Sequence, residues 1–354
     1  MNVAIIGAGN GGQALAGLLA SKGCNVTICD VNRVIIEELN NDTTIELTGH
    51  INAKGIIVNA TVDAADAIKG SELILIVTTA IAHGPLARQL APVLEDGQTV
   101  ILCPGRTGGA LVFRQELEKT GFSKRIYLAE AQTLLYACRL IKTGVVNIVG
   151  VKDSVRIAAL PSSDTGHVIN ILNQYFSVFV PSPNILWTSL ENYGAVFHSA
   201  NVIFNAAAIE RGESFYFYRD MTPQVVSFIE KLDNERINVA KAYGIELMTA
   251  SEWLEKTYGV TGVSLYERMV NNEAYKSILA PKYIRCRQLT EDVPTGAIPI
   301  VELGKAAGVD VNAFESLINI TQELLSDNFV TTARTLERLG FKGLSKPQII
   351  NKIH

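Results

Sequence analysis

Three groups of residues in this 354-residue chain combine types and spacings suited to chemistry. Gly7, Gly9 and Gly12 satisfy G-x-G-x-x-G directly after an apolar run. In that spacing Gly7 permits a tight turn, Gly9 lets the backbone approach a pyrophosphate, and Gly12 lets the following helix sit close to the strand. Asn10 lies where the helix N–H groups would meet the anion. Asp30 follows about 20 residues later, where a carboxylate accepts the ribose hydroxyls of adenosine and repels a 2′-phosphate. NAD(H) is therefore the expected cofactor, with NADP(H) left open because Arg33 lies just beyond Asp30. The second group is His198, set among apolar residues, which is either a proton-transfer catalyst or a satisfied core histidine. The third is the segment 283–296, where Arg285, Arg287, Glu291 and Asp292 precede a Pro/Gly-limited turn. These charges could be aimed together at one place; alternatively Asp292 caps the next helix and Arg285 is a solvated surface charge.

Strands and helices must alternate to place such residues. Residues 3–6 form an apolar, β-branched run suited to a strand buried on both faces of a parallel sheet. A helix over 12–22 stopped by Gly23, a strand over 25–29 and a helix over 34–39 follow, so strand, glycines, helix, strand and acid occur in the required order. An insertion over 41–60 carries extended pieces at 44–47 and 56–58. Alternation then resumes with a helix over 61–68, strands at 72–78, 99–102 and 126–130, and helices at 85–94 and 110–119. Residues 145–151 and 169–180 are expected to finish the sheet with a strand pair and a helix. Pro181-Ser182-Pro183 reads as an extended connector, beyond which helices dominate at 192–211, 223–243, 250–257, 296–308 and 312–326. The expected fold class is α/β plus α: a doubly wound Rossmann-type dinucleotide-binding domain over 1–181, then a mostly helical substrate domain over 182–354.

In a doubly wound sheet, ligands gather beyond the carboxyl ends of the strands. Those ends are 78–83, 104–109 and 130–138, which brings Thr78, His83 and Arg106 into view. Thr78 is expected beside the dinucleotide. His83 is read as a polar turn residue before the helix at Pro85 in preference to a catalytic base. Arg106 either meets a substrate carboxylate or binds local carbonyls.

Composition narrows the class of function. A formal charge of −4, with basic residues scattered, gives no footprint for nucleic acid or an acidic membrane. Five cysteines at irregular spacing fit free thiols in a reducing compartment, with no Cys/His grouping for a metal. The first strand leaves no room for a signal peptide before it, and no apolar run reaches spanning length, so the expected location is cytoplasmic. The apolar helices of the second domain could also bury against a second copy, as a homodimer.

The order GAGNGG, PGRTGGAL, AEAQTLLYACR, GAVFHSANVIFNAAAIERGESFYFYRDMTP, DNERINVAKAYGI and RQLTEDVPTG resembles the opine dehydrogenase family of octopine/nopaline type, over residues 1 to roughly 325. The resemblance implies an NAD(P)H-linked enzyme that joins the amine of an amino acid to a 2-oxo acid, usually pyruvate, and reduces the imine. It further implies that His198 and Asp292 form a proton-transfer dyad, that Arg287 holds the amino-acid carboxylate, and that Thr133 and Cys138 lie near the oxo-acid pocket in the turn after residue 130. One departure is Gly194, with Tyr193 beside it, where some members carry a tyrosine. The implied chemistry suits these side chains. An imidazole titrates near neutrality, a carboxylate fixes its tautomer, and a guanidinium binds a carboxylate bidentately. Because the product has two carboxylates, a second cation or a nest of N–H groups is needed, and Arg106 with the loop 104–109 is the expected source. The competing readings are a ketopantoate-reductase-like or glycerol-3-phosphate-dehydrogenase-like reductase, which usually places a lysine where His198 falls, and a non-catalytic NAD-binding protein.

Overall fold

The computed structural model describes residues 1–354 and divides into two compact units, one of Met1–Ser189 with Lys352–His354 and one of Leu190–Asn351. The first unit continues past the prolines at 181 and 183 because the hydroxyls of Thr188 and Ser189 are hydrogen-bonded to the buried Glu130 carboxylate. No helix in either unit is long and apolar enough to cross a membrane.

The first unit is built on an eight-stranded sheet. Its strands are β1 (Asn2–Ile6), β2 (Asn25–Cys29), β5 (Asn59–Thr61), β6 (Leu73–Ile76), β7 (Thr99–Leu102), β8 (Tyr127–Ala131), β11 (Val155–Leu160) and β12 (Phe179–Pro181), ordered β12-β11-β8-β7-β6-β1-β2-β5. All neighbours are parallel except β8 and β11. Every residue of β6 and β7 is buried, as a sheet covered on both faces requires. From β1 the chain runs outward to β2 and β5, then crosses back to β6 and continues the other way. The switch point therefore falls between β1 and β6.

A second, four-stranded sheet is where the structure departs from the expected alternation. It contains β3 (Thr44–Gly49), β4 (Ala53–Ile56), β9 (Tyr136–Lys142) and β10 (Val145–Val151), ordered β4-β3-β10-β9. Residues 145–151 thus do not complete the main sheet. They pair parallel with the insertion strand β3 and antiparallel with β9, and the main sheet is completed by β11 and β12. The helix Asn10–Ser21 lies between the two sheets. On one side it follows β1, and on the other a Cβ at Gly17 would come within 2.7 Å of Ile45. Gly11 to Leu19 are accordingly all buried, which accounts for a helix with a weak polar face.

The second unit is helical. It contains helices Tyr193–Phe204, Pro223–Ala242, Ala250–Tyr258, Leu265–Asn271, Ile298–Ala307 and Asn312–Leu325, with a short turn Arg287–Thr290 and a π-helical turn Val293–Ala297. The helix expected over 192–211 breaks at Asn205, whose amide returns to the carbonyl of Asn201 at 2.8 Å. Arg236, fully buried, knits this unit together. Its guanidinium donates to Asp233 Oδ1, to the carbonyls of Leu190 and Met248, and lies over the Tyr193 ring at 4.6 Å. A buried arginine persists only with its donors satisfied, and this one places the start of the helix Tyr193–Phe204 against the helix Pro223–Ala242.

Candidate active site

In the first unit, the turn after β1 has the spacing of a phosphate cradle because of what its glycines touch. Gly7 has φ +111°, and a Cβ there would sit 2.5 Å from the Val77 carbonyl oxygen, across the β1/β6 switch point. At Gly12 a Cβ would lie 1.7 Å from the Gly7 oxygen, so only glycine lets the helix start this close. Gly9 differs, since its absent Cβ faces open space, as a backbone that meets a ligand does. Asp30 closes the turn from the end of β2: Oδ2 accepts the Ala8 amide at 2.7 Å and Oδ1 accepts the Asn32 amide at 2.9 Å. A carboxylate has roughly four lone-pair sites, so two bonds leave capacity for a ribose diol. The donor set and the open face at Gly9 fit a dinucleotide.

Other expected cofactor residues have structural duties here as well. Asn10 uses its carbonyl oxygen to accept the Leu140 amide of β9 at 3.0 Å. Thr78 lies just past β6, its methyl near Gly7 and its hydroxyl toward the Thr79 carbonyl. Sequence reasoning did not single out Gln13, which is fully buried. Its amide donates to the Ala8 carbonyl at 2.8 Å and its oxygen accepts the Gly144 amide at 2.8 Å. Together Asn10 and Gln13 bind the hairpin of β9 and β10 to the glycine turn. A glutamine inside an apolar helix was the available signal, because a buried amide needs partners.

The loop 104–109 follows β7 and is organised by Glu130. Gly105 donates to the Ala131 carbonyl, Gly108 to Ser189 Oγ and Ala110 to Glu130 Oε2, at 3.0, 2.9 and 2.9 Å. The amides of Gly105 and Gly108 already serve protein acceptors, so the expected nest of N–H groups cannot draw on these two. Arg106 sits in this loop at φ 59°, half-buried. Glu130 caps the helix Gly109–Lys119 while its other oxygen accepts the two hydroxyls of Thr188 and Ser189.

Thr133 and Cys138 fall in different settings. Thr133 is in the bend after β8, half-buried, and its hydroxyl meets the Lys152 ammonium at 3.3 Å. Cys138, expected in a turn, lies inside β9 with its side chain in the apolar core, where burial pushes its thiol up. A core-facing thiol is poorly placed to touch a soluble ligand.

The second unit brings the histidine and the acid together. His198 projects from the middle of the helix Tyr193–Phe204, and its Nδ1 is 2.7 Å from Asp292 Oδ2. Asp292 is completely buried, whereas the His198 side chain keeps 21% of its surface exposed. Two contacts set this meeting. Ser199 Oγ donates to the Gln288 carbonyl at 2.8 Å, and at Gly296 a Cβ would come within 2.8 Å of the Ala195 methyl. The π turn Val293–Ala297 can therefore lie against the histidine helix, with Asp292 at its start. Phe217 and Tyr218 flank the imidazole with ring centroids 6.4 and 6.3 Å away. Arg287 opens the same segment, 61% exposed, with Nε 3.1 Å from the buried Glu291 carboxylate. Arg285 points elsewhere, to Asp327 and the Leu325 carbonyl.

A histidine whose Nδ1 is held by a buried carboxylate presents Nε2 as its working nitrogen, and this arrangement suits transfer of one proton out and back. Comparison with known proteins gives the family of the chain. Residues 181–325 match the family model described as NAD/NADP octopine/nopaline dehydrogenase, alpha-helical domain. Residues 2–108 match the N-terminal model of NAD-dependent glycerol-3-phosphate dehydrogenase. The chain is 35% identical over 348 residues to an opine dehydrogenase of Arthrobacter sp. (strain 1C), covering 97% of this chain and 96% of that one. Octopine dehydrogenase solved with NADH and L-arginine superposes with TM-score 0.83 at 23% identity, covering 100% of this chain and 98% of the other. The same enzyme with NADH and pyruvate gives TM-score 0.79 at 23% identity, over 100% and 99%.

Proposed function

The chain belongs to the opine dehydrogenase family, and from that premise we propose that it couples an L-amino acid to pyruvate through a dyad of His198 and Asp292. Its activity is that of an NAD(P)-dependent oxidoreductase acting on a CH–NH bond. The glycerol-3-phosphate match stops at residue 108, within the dinucleotide unit, and so does not bear on the helical unit that carries the histidine.

The observation that carries this reading is the 2.7 Å bond between His198 Nδ1 and the buried Asp292. Condensation needs the amino-acid ammonium to lose a proton so that its nitrogen can attack the keto carbon, and the carbinolamine hydroxyl, formed as an N–H proton passes to the keto oxygen, to gain one as it leaves as water. Nε2 of His198 takes the first proton and returns the second, while Asp292 holds the ring in one tautomer and stabilises the transient imidazolium. NADH, when bound, supplies the hydride that reduces the imine carbon to give the secondary amine. Arg287 receives the amino-acid carboxylate in place of, or alongside, Glu291, since a guanidinium offers two parallel donors to each. Pyruvate and L-arginine are ligands of the octopine dehydrogenase structures, and this chain takes pyruvate with an amino acid to be identified by assay. Asp30, whose Oδ2 accepts the Ala8 amide of the glycine turn, favours NAD(H) over NADP(H).

The test follows NADH oxidation with pyruvate alone, with each of a panel of L-amino acids alone, and with both together. Consumption that requires both partners supports reductive condensation. Equal rates with pyruvate alone would show a simple 2-oxo acid reductase.

A further inference from the structure

Two carboxylates enter the proposed reaction, and Arg287 serves only one of them. Lys152, which follows directly on β10, is a cation with two neutral oxygen acceptors and no carboxylate partner, and so a candidate for the other. Its ammonium donates to the Leu134 carbonyl at 2.6 Å and to Thr133 Oγ1 at 3.3 Å, and it forms no salt bridge with any carboxylate. An ammonium has three donors in a tetrahedral array, so at least one points away from these two oxygens. The acidic residue nearest in sequence, Asp153, is exposed to solvent.

The position is also significant. Lys152 is tied to the bend 132–135 twice, once by its ammonium and once by its backbone amide, which donates to the Leu135 carbonyl at 3.0 Å. That bend leaves the carboxyl end of β8, on the same edge of the parallel sheet as the glycine turn and Thr78. It reaches the turn itself: a Cβ at Gly11 would come within 2.7 Å of the Leu134 side chain. The lysine head is thus anchored beside the dinucleotide turn within one compact unit, at the edge where a doubly wound sheet holds its ligands.

We infer that Lys152, oriented by Thr133 and the Leu134 carbonyl, binds the carboxylate of the 2-oxo acid as a positioning residue for the condensation. The inference rests on the condensation reading above. The Thr133 hydroxyl, which accepts from the lysine, has its own hydrogen free to donate to the same carboxylate. Burial without a counter-charge pushes the Lys152 ammonium down to about 8, so it is still mostly charged at neutral pH and is under-compensated by the protein. An anionic ligand supplies the missing compensation. The amides of Gly105 and Gly108 in the loop 104–109 are not open to that carboxylate, because they are already bonded internally.

The experiment compares the wild-type enzyme with Lys152→Met and Lys152→Arg in full-length protein, using pyruvate and its uncharged amide, pyruvamide. Affinity for each is measured by calorimetry on the NADH complex, together with KM in the coupled assay, and NADH affinity is followed by fluorescence. Wild type should prefer pyruvate over pyruvamide, and Lys152→Met should weaken pyruvate by at least tenfold while leaving pyruvamide within about twofold. Lys152→Arg should recover part of the loss, and NADH affinity should hold in both variants. Pyruvate affinity unchanged in Lys152→Met, or pyruvate and pyruvamide weakened equally, would overturn the inference and reduce Lys152 to a strut for the bend. Wild-type NADH oxidation that does not need an amino acid together with pyruvate overturns the condensation reading instead, and the calorimetric comparison still decides for Lys152.

Discussion

Asp292 receives the Nδ1 side of His198 at 2.7 Å from a fully buried position, so the ring can turn neither face nor tautomer without abandoning a desolvated carboxylate. Asp292→Asn keeps the shape and loses the charge, and an amide that presents its NH₂ favours the opposite tautomer. Turnover should fall by about 10²–10⁴-fold with NADH affinity unchanged. Steady-state kinetics beside NADH fluorescence titration measures both, and a loss smaller than tenfold would remove the dyad from proton transfer.

Arg287 is mostly exposed, with Nε beside the buried Glu291 carboxylate, so its substitution should cost some stability through Glu291 but act on substrate through the lost guanidinium. Arg287→Met is expected to raise KM for the amino acid by about 10–100-fold, with KM for pyruvate within about threefold. Equal increases for both substrates would argue against a dedicated role.

Asp30 combines two duties that one substitution separates. Asp30→Ala removes the acceptors of Ala8 and Asn32, which should cost about 1–2 kcal/mol of stability in denaturant titration. It should also shift the ratio of kcat/KM for NADH over NADPH toward NADPH by about tenfold or more. A stability loss without a shift in cofactor ratio would leave Asp30 as a turn-forming residue only.

Lys152 gives the pH dependence. Its proton is held less tightly in the folded chain, about 8 against the ordinary 10.5, so the unfolded chain binds more protons between those values. The penalty for the buried ammonium is therefore fully present below about pH 8 and fades as pH rises toward 10.5. Lys152→Met should melt about 2–4 °C higher than wild type at pH 7, with the gap closing across that window, as thermal scans at several pH values would register. A variant that is less stable at pH 7 would mean that the hydrogen bond to Leu134 outweighs desolvation.

Much of the dinucleotide unit could be read directly from the chain. Gly7, Gly9, Gly12 and Asp30 announce themselves because each has a steric or ionic task that few other residues perform, and β6 and β7 are apolar runs of the length buried strands need. The helical unit was legible as helices, and the pairing of His198 with Asp292, which lie 94 residues apart, was implied by family resemblance rather than by spacing. The second sheet was not legible. Its strands alternate buried and exposed residues over short stretches, and β3 meets β10 across about a hundred residues of chain, a pairing that no local pattern encodes. Gln13 and Glu130 were missed for a related reason, since a buried polar side chain shows its purpose only when its partners are known.

The small sheet has one further consequence. Its strands come from two separate stretches, 44–56 and 136–151, and each lends an edge that the other needs. The second stretch is also fastened to the nucleotide turn through Asn10 and Gln13. Removing either stretch would leave the other as a two-stranded hairpin with β3 or β10 as a newly exposed edge, and would strip cover from the helix that opens at Asn10. The two segments thus act as one packing unit, so that shortening the strand pair near residue 50 should also loosen the hairpin near residue 143.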